Sequence, residues 1–117
     1  MKSKIVALSK NEEFKTLLKK KKISNKYVTI FYGNLENKNN KKLNISFVTK
    51  KKIGNAITRN KIKRRLRNIM HYMVKNLSLK FEYSYLVIAK STMISNDFKN
   101  IKKILFQDFE KIKWIYL

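Results

Sequence analysis

One segment, residues 55–76, constrains the fold of this chain more than any other, because its pattern is that of a long helix with two unlike faces. Asn55 is a favourable N-cap residue immediately before the apolar pattern begins. Apolar side chains then recur at spacings of three and four, which predicts a face packed on a core: Ile62, Leu66, Ile69, Met70 and Met73. The second face is polar and mostly cationic, and it contains Asn60, Arg64, Arg67 and His71, with Arg59 and Lys63 beside it.

The positive charge of the chain is concentrated around this helix. With 29 Lys and Arg residues against seven Asp and Glu residues, the formal net charge is +22. No Asp or Glu occurs from Asn37 to Phe81. Like charges four residues apart, as at Arg59 and Lys63, weaken an isolated helix, so stability alone does not explain the pattern. A one-sided cationic surface attracts phosphate, and we therefore predict a nucleic-acid partner.

Length and composition limit the class of protein. The chain is 44% hydrophobic over 117 residues, which is typical of one globular domain spanning residues 1–117. It has no Cys, which excludes disulfides and thiolate metal sites and favours a reducing cytoplasm. The N-terminal apolar run Ile5–Leu8 is too short for a signal peptide. No segment approaches the roughly 20 apolar residues of a membrane span. We expect a cytoplasmic protein without a membrane partner.

The remaining patterns predict an α+β sandwich with the element order αββαβα. Ser9 and Glu12 match a capping box at the start of a first helix. That helix is predicted to carry Phe14, Leu17 and Leu18 and to end among Lys19–Lys22, where cations are favourable. Strands are predicted at Tyr27–Tyr32, Leu43–Thr49 and Tyr83–Ala89. A last helix is predicted to start at Asn96 and Asp97, with an apolar stripe formed by Phe98, Ile101, Leu105, Phe109 and Ile112.

The basic helix carries a motif that is specific to one family. Its residues are, in chain order, Lys52, Gly54, Ala56, Arg59, Asn60, Lys63, Arg64 and Arg67. This spacing resembles the signature of the bacterial ribonuclease P protein subunit. Residues Asn11–Phe14, Phe47–Lys52 and Tyr85–Lys90 also resemble the family's first helix, the strand before the motif and its third strand. The resemblance implies a small mixed sheet with a left-handed βαβ crossover, the ribosomal protein S5 domain 2-like fold.

The resemblance also implies a function. Members of the family form a ribonucleoprotein endonuclease that removes the 5′ leader from precursor tRNA. The RNA subunit is the catalyst and mainly holds the Mg²⁺, while the protein binds that RNA and the leader, raises substrate affinity and assists metal binding. The implied RNA-binding positions are Lys52, Asn55, Arg59, Asn60, Lys61, Lys63, Arg64 and Arg67. A cleft for the single-stranded leader is implied at Phe14, Leu18, Phe31 and Val48.

Three positions depart from the family pattern. Lys61 stands where a second Arg is more common, and it keeps the charge without the bidentate geometry of Arg. Leu18 replaces a common aromatic residue, which predicts weaker stacking on a leader base. Ser46 replaces a common Gly within a strand. A stacking role for Phe14 and Phe31 requires an open ring face, whereas buried rings would belong to the core.

The residue inventory argues against catalysis by the chain alone. Its seven acidic residues are dispersed, whereas Mg²⁺ sites for phosphodiester hydrolysis need clustered carboxylates. His71 is the single His, so a pair of titrating groups for acid–base cleavage is missing. We interpret His71 as an RNA contact or a solvated side chain. Composition alone leaves open a ribosomal or other structural RNA-binding protein and a DNA-binding module. A lone basic helix disfavours DNA as a partner.

Overall fold

The computed structural model describes residues 5–8, 11–35, 41–76, 81–94 and 97–114, which form a mixed sheet covered by helices. The helices are α1 (Asn11–Leu17), α2 (Ala56–Asn76) and α3 (Phe98–Trp114). The strands are β1 (Ile5–Val6), β2 (Lys21–Ser24), β3 (Val28–Asn34), β4 (Leu43–Val48) and β5 (Tyr83–Ala89). Short 3-10 turns at Lys51–Ile53 and Ser91–Ile94 precede α2 and follow β5. Within these described residues, no helix combines the length and apolar character that crossing a membrane requires.

The sheet order is β1-β4-β5-β3-β2. Strand β4 pairs in parallel with both β1 and β5, whereas β3 pairs antiparallel with β5 and β2. Because β4 and β5 are adjacent and parallel, α2 is the crossover helix of a βαβ unit. The predicted α+β fold with a mixed sheet is confirmed, and the left-handed sense of its crossover stays a prediction from the family.

Side-chain alternation divides the sheet into two unlike faces. The core face packs on the apolar sides of α2 and α3, and its buried residues include Ile30, Tyr32, Ile45, Tyr85 and Val87. Across this interface the rings of Tyr85 and Phe109 lie 5.4 Å apart between centroids. The open face carries a smaller apolar cluster in which Phe31, Val48, Leu86 and Ile88 meet Leu17 of α1. Helix α1 covers one part of the open face through this cluster.

The apolar patterns of the two long helices place their core faces correctly. All five apolar residues predicted to face the core from α2 are buried: Ile62, Leu66, Ile69, Met70 and Met73. Four residues of the predicted stripe on α3 are buried as well: Ile101, Leu105, Phe109 and Ile112. The fifth, Phe98, is 41% exposed, so its assignment to the core was wrong. Phe98 is the first residue of α3, where the stripe has not yet reached the sheet.

The prediction that the first helix ends among Lys19–Lys22 was wrong. Helix α1 ends at Leu17, and Lys21–Ser24 form the edge strand β2. Pairing with β3 places Lys22 opposite Phe31 and Ser24 opposite Thr29. A strand partner that follows along the chain therefore overrides the local charge preference of a helix end. Ser9 and Asn96, predicted at two helix starts, lie outside the described residues.

Candidate nucleic-acid interface

The predicted RNA-binding residues form one continuous surface, which we call the basic ridge. It consists of Lys52, Asn55, Arg59, Asn60, Lys61, Lys63, Arg64 and Arg67. Six of these side chains are exposed, and Arg59 and Lys63 are half-buried. The opposite side of α2 is buried in the core, so the helix backbone that carries the ridge is held rigid. The ridge therefore presents fixed cationic donors to solvent with no carboxylate in the same stretch of sequence.

The start of α2 is fixed by a cap and a close backbone approach. The side-chain Oδ1 of Asn55 accepts a hydrogen bond from the Thr58 N–H at 2.9 Å, which confirms Asn55 as the N-cap. The carbonyl of Asn55 also accepts from the Nε of Arg59 at 3.4 Å. A Cβ added at Gly54 would stand 3.2 Å from two carbons of Thr58, which explains why the smallest residue suits this position. These contacts fix the angle at which the ridge leaves the preceding turn.

One apolar residue interrupts the cationic surface of the ridge. Ile57 lies in the first turn of α2 and is 79% exposed, the largest value among the exposed large apolar residues of the described chain. Asn60, Lys61 and Arg64 follow it at three, four and seven residues, so these side chains share its side of the helix. The ridge therefore offers an apolar contact within its charged surface.

Three of the four residues predicted for a leader cleft come together on the open face. Phe14, Phe31 and Val48 pack around the buried Leu86, and all three are half-buried. The rings of Phe14 and Phe31 are therefore only partly covered, which leaves room for a further contact. Leu18 follows the end of α1 and is 48% exposed, outside this apolar cluster. The apolar part of the site is thus assembled from α1, β3, β4 and β5, which are far apart in sequence.

Lysine side chains surround the part of the open face that α1 leaves uncovered. Two cavities open on this side of the protein, one of about 650 Å³ and one of about 420 Å³. The larger of the two is lined by Thr29 and Ile88 and by Lys50, Lys52 and Lys90. On the neighbouring edge strand, Lys22 Nζ lies 6.0 Å from the centroid of the Phe31 ring. We call this site the open-face cleft. Its apolar floor is formed by Phe14, Phe31, Val48 and Ile88, and its rim by Lys22, Lys50, Lys52 and Lys90. The lysine rim suits an anionic chain, and the apolar floor suits a chain that exposes aromatic or other apolar groups.

The basic ridge and the open-face cleft are continuous with each other. The cavity of about 420 Å³ is lined by Phe14 and Val48 on the cleft side and by Lys63 and Arg67 on the ridge side. Lys52 also belongs to both surfaces, because it lines the larger cavity and begins the ridge. The two sets of residues predicted for separate roles therefore meet along the edge of β4. Ligands bound to the two surfaces would therefore be neighbours.

Ser46, the predicted departure within β4, has a specific contact. Its Oγ accepts a hydrogen bond from the Leu8 N–H at 2.8 Å. Leu8 is buried in the same cluster as Leu17 and Leu86. The hydroxyl thus fastens the segment after β1 to the open face, a contact that Gly could not supply.

Several residues of the cleft rim are missing from the sequence-based set: Lys22, Thr29, Lys50, Ile88 and Lys90. The alternation in Lys22, Ile23 and Ser24 is a strand signal that could have placed Lys22 beside Phe31. No local signal places Lys90 near Lys50, because their proximity depends on the parallel pairing of β4 with β5.

The acidic and imidazole side chains of the described residues are dispersed. Among these residues, no group of three His, Asp or Glu side chains could hold a metal ion. His71 is exposed at the far end of the polar face of α2. Burial, with smaller contributions from Tyr83, Glu82 and Tyr32, raises the pKa of Tyr85, which keeps this core phenol protonated. What the site offers to a ligand is cations, amides and apolar surfaces.

The chain matches known proteins over almost its whole length. Residues 3–113 match the family model described as Ribonuclease P. The chain is 36% identical over 105 residues to the Ribonuclease P protein component of Bacillus pumilus, covering 89% of this chain and 85% of that relative. It is 34% identical over 98 residues to the corresponding protein of Mesoplasma florum, covering 84% and 86%. The structure of Staphylococcus aureus RNase P protein has the same fold, with a TM-score of 0.74 at 23% identity, covering 95% and 97%. With this fold and this placement of the motif on α2, the chain belongs to the ribonuclease P protein family.

Proposed function

We propose that this chain is the protein subunit of ribonuclease P, the ribonucleoprotein that removes the 5′ leader from precursor tRNA by endonucleolytic cleavage. The RNA subunit is the catalyst, and the protein binds both that RNA and the leader. The observation that carries this proposal is the continuity of the two surfaces, since Phe14, Val48, Lys63 and Arg67 line one cavity. The catalytic RNA bound on the ridge and a single-stranded leader bound in the cleft would therefore lie next to each other.

The basic ridge suits the backbone of a structured RNA. Arg and Lys neutralise phosphates and release counterions, which gives affinity without reading the base sequence. Arg59, Arg64 and Arg67 add planar donor groups that match phosphate oxygens. The buried core side of α2 fixes the backbone positions from which these groups extend. We assign the catalytic RNA to the ridge.

The open-face cleft suits a single strand. Base stacking on an aromatic ring contributes about 1–3 kcal/mol per base and needs an open ring face, which half-buried Phe14 and Phe31 provide. Lys22, Lys50, Lys52 and Lys90 stand around the apolar floor, where phosphates of the same strand would lie. Only the precursor carries a leader, so this cleft distinguishes the precursor from the mature product.

The described residues of this chain offer no group of ligands that suits the Mg²⁺ used by the family. The described residues contain no group of three carboxylate or imidazole side chains that could hold it. We therefore assign the metal to the RNA subunit. The role of the protein is to reduce repulsion among the phosphates that gather around the metal.

The test compares two tRNA forms in the reconstituted holoenzyme. We expect the holoenzyme to bind precursor tRNA on the order of 100-fold more tightly than mature tRNA, because both the stacking and the phosphate contacts of the leader are lost with it. The isolated protein should bind both forms similarly, because without the catalytic RNA nothing aligns the tRNA body so that its leader enters the cleft. Equal holoenzyme affinity for the two forms would contradict the leader role of the cleft.

The same proposal names the partners and the compartment. They are ribonuclease P RNA and precursor tRNA in the cytoplasm, without DNA and without a membrane. Recovery of RNA bound to the tagged chain in a cell lysate separates this from other RNA-binding roles. One abundant structured RNA of several hundred nucleotides is expected, whereas ribosomal RNA or DNA would favour the other classes of protein.

A further inference from the structure

The turn that joins β2 to β3 is organised by a single side chain. Asn25 Oδ1 accepts hydrogen bonds from the backbone N–H groups of Tyr27 at 2.7 Å and Val28 at 2.9 Å. The backbone N–H of Asn25 donates to the Val28 carbonyl at 2.9 Å. This arrangement closes the turn locally and leaves the amide nitrogen of Asn25 for a partner elsewhere.

That partner is a buried carboxylate in the layer behind the sheet. Asn25 Nδ2 donates to Asp108 Oδ2 at 2.7 Å, and Asp108, in α3, is only 6% exposed. The other oxygen of Asp108 lies 3.7 Å from Nζ of the exposed Lys111. A second link between the same elements runs from Asn100 Nδ2 to the Tyr27 hydroxyl at 3.0 Å. Helix α3 therefore holds the turn from the core side.

The same turn holds a cleft lysine on the other side. Lys90 Nζ donates to Ser24 Oγ at 2.7 Å and to the Asn25 carbonyl at 2.5 Å. The backbone N–H of Lys90 donates to the Tyr27 carbonyl at 2.8 Å. Lys90 also lines the larger cavity of the open-face cleft together with Lys50 and Lys52. The contacts to Ser24 and Asn25 occupy two of the three N–H groups of its ammonium.

Lys90 thus differs from the other lysines of the rim. A free lysine side chain loses rotamer freedom when it binds, and this loss of entropy opposes binding. Lys50 and Lys52 are exposed, whereas Lys90 is half-buried and fixed at its charged end. Preorganised charge binds a phosphate with less loss of freedom.

We propose that Asn25 and Asp108 are positioning residues for the open-face cleft: Asp108 orients Asn25, the Asn25 turn fixes the Lys90 ammonium, and that ammonium binds a phosphate of the leader. The inference rests on the proposed function of the cleft and adds two residues from outside it. Asp108 acts from the opposite side of the sheet and makes no contact with RNA.

The test measures leader preference, the ratio of holoenzyme dissociation constants for mature and precursor tRNA, with the full chain and the RNA subunit. A general loss of active protein affects both constants and cancels in this ratio. Lys90→Met sets the scale, with an expected loss of preference of about tenfold for one charged hydrogen bond. Asp108→Leu removes the acceptor for Asn25 and should lose about threefold. Asp108→Asn keeps an acceptor oxygen and should retain the preference.

Two controls separate positioning from simple stability. Lys111→Ala removes the exposed neighbour of the same carboxylate and should leave the preference unchanged. Ile112→Val loosens the core on the same helix but removes no hydrogen bond to the turn, so it should lower the melting temperature and not the preference. In the Lys90→Met background, Asp108→Leu should cause no further loss, because its effect passes through Lys90.

An unchanged preference in Asp108→Leu, or the same threefold loss in the Lys90→Met background, would overturn the inference. Should Asp108→Leu fail to fold, Asn25→Ser provides the test, because Ser can still accept from the turn but does not reach Asp108. If Lys90→Met leaves the leader preference unchanged while Phe31→Leu lowers it, this inference alone is overturned. If neither variant changes the leader preference, the leader does not bind in the cleft, and the proposed function of the cleft is overturned as well.

Discussion

The basic ridge and the open-face cleft face the same proposed ligand system, yet they are built in opposite ways. The ridge comes from one continuous stretch of sequence, with its residues on one helix and the turn before it. The cleft is assembled from α1, four strands and the segments that follow β4 and β5. A local surface needs only a helix and a core beneath it, whereas an assembled surface needs the whole topology. The ridge should therefore tolerate changes elsewhere in the fold better than the cleft does.

The two regions also differ in how they bind. The ridge works mainly through charge, so its affinity should fall steeply with salt and respond to Mg²⁺. The cleft combines partly open rings with lysines, so part of its affinity should survive at high salt. Four variants test this contrast, given in order of decreasing expected effect.

Removing two ridge arginines should have the largest effect. Arg64→Gln with Arg67→Gln should weaken binding of the catalytic RNA about 100-fold at low Mg²⁺, since two charge-assisted contacts are lost. High Mg²⁺ should recover much of this loss, because added cations screen the same phosphates. Filter binding across a Mg²⁺ series measures it. Lys75→Gln with Lys103→Gln removes equal charge outside the ridge and serves as the control. Failure of Mg²⁺ to rescue the arginine variant would contradict an electrostatic role.

The corresponding change in the cleft should spare assembly. Phe31→Leu keeps apolar bulk in the small cluster but removes the aromatic face, so precursor preference should fall about tenfold. Affinity for the catalytic RNA should not change. Phe106→Leu, a half-buried ring packed on the other cluster, controls for the loss of an aromatic residue. A loss of RNA assembly in Phe31→Leu would mean that the two regions are not separable.

An added ring should strengthen the cleft. Leu18 is 48% exposed after the end of α1, so Leu18→Phe places an open ring face near the cleft without disturbing the core. Precursor preference should rise about threefold, the lower range of stacking on one base. Leu18→Ile retains the bulk without a ring and should leave the preference unchanged. Equal gains in both variants would assign the effect to apolar area and not to stacking.

The smallest effect tests the apolar contact within the ridge. Ile57→Ala should weaken binding of the catalytic RNA about twofold, because less apolar surface is covered by the RNA. The slope of log K against log salt should not change, since an apolar contact releases no counterion, whereas Arg64→Gln should reduce that slope by about 1. Ile94→Ala, at an exposed apolar site elsewhere, is the control. A changed slope in Ile57→Ala would mean that the variant disturbs its charged neighbours.

The contrast between local and assembled surfaces also explains which predictions succeeded. The five buried residues of α2, its Asn55 cap and the bounds of β5 follow from periodicity and capping, which are local properties. Phe14, Phe31 and Val48 were placed in one cleft by resemblance to the family, and the structure brings them together. Their role in binding a leader stays a prediction.

The misses have a common physical cause. Strand β2 was assigned to a helix end because Lys21 and Lys22 suit a helix C-terminus, and only pairing with β3 reveals their strand role. Strand β1 has two residues, too few for a periodic signal, and depends on pairing with β4. Lys90 joins the cleft through contacts with Ser24 and Asn25, 66 and 65 residues away. Sequence patterns carry little information about such distant partners.

The position of α2 as the crossover between β4 and β5 has a mechanical consequence. Strand β4 leads into the helix and β5 follows it, and both strands run under the cleft, where Val48 and Ile88 form its floor. The surfaces proposed for the catalytic RNA and for the substrate are therefore carried by one βαβ unit. In the proposed complex the protein sets the affinity for the precursor and not the position of cleavage. Leader length and base identity would alter how tightly a precursor is held, but the bond that is cut would stay the same.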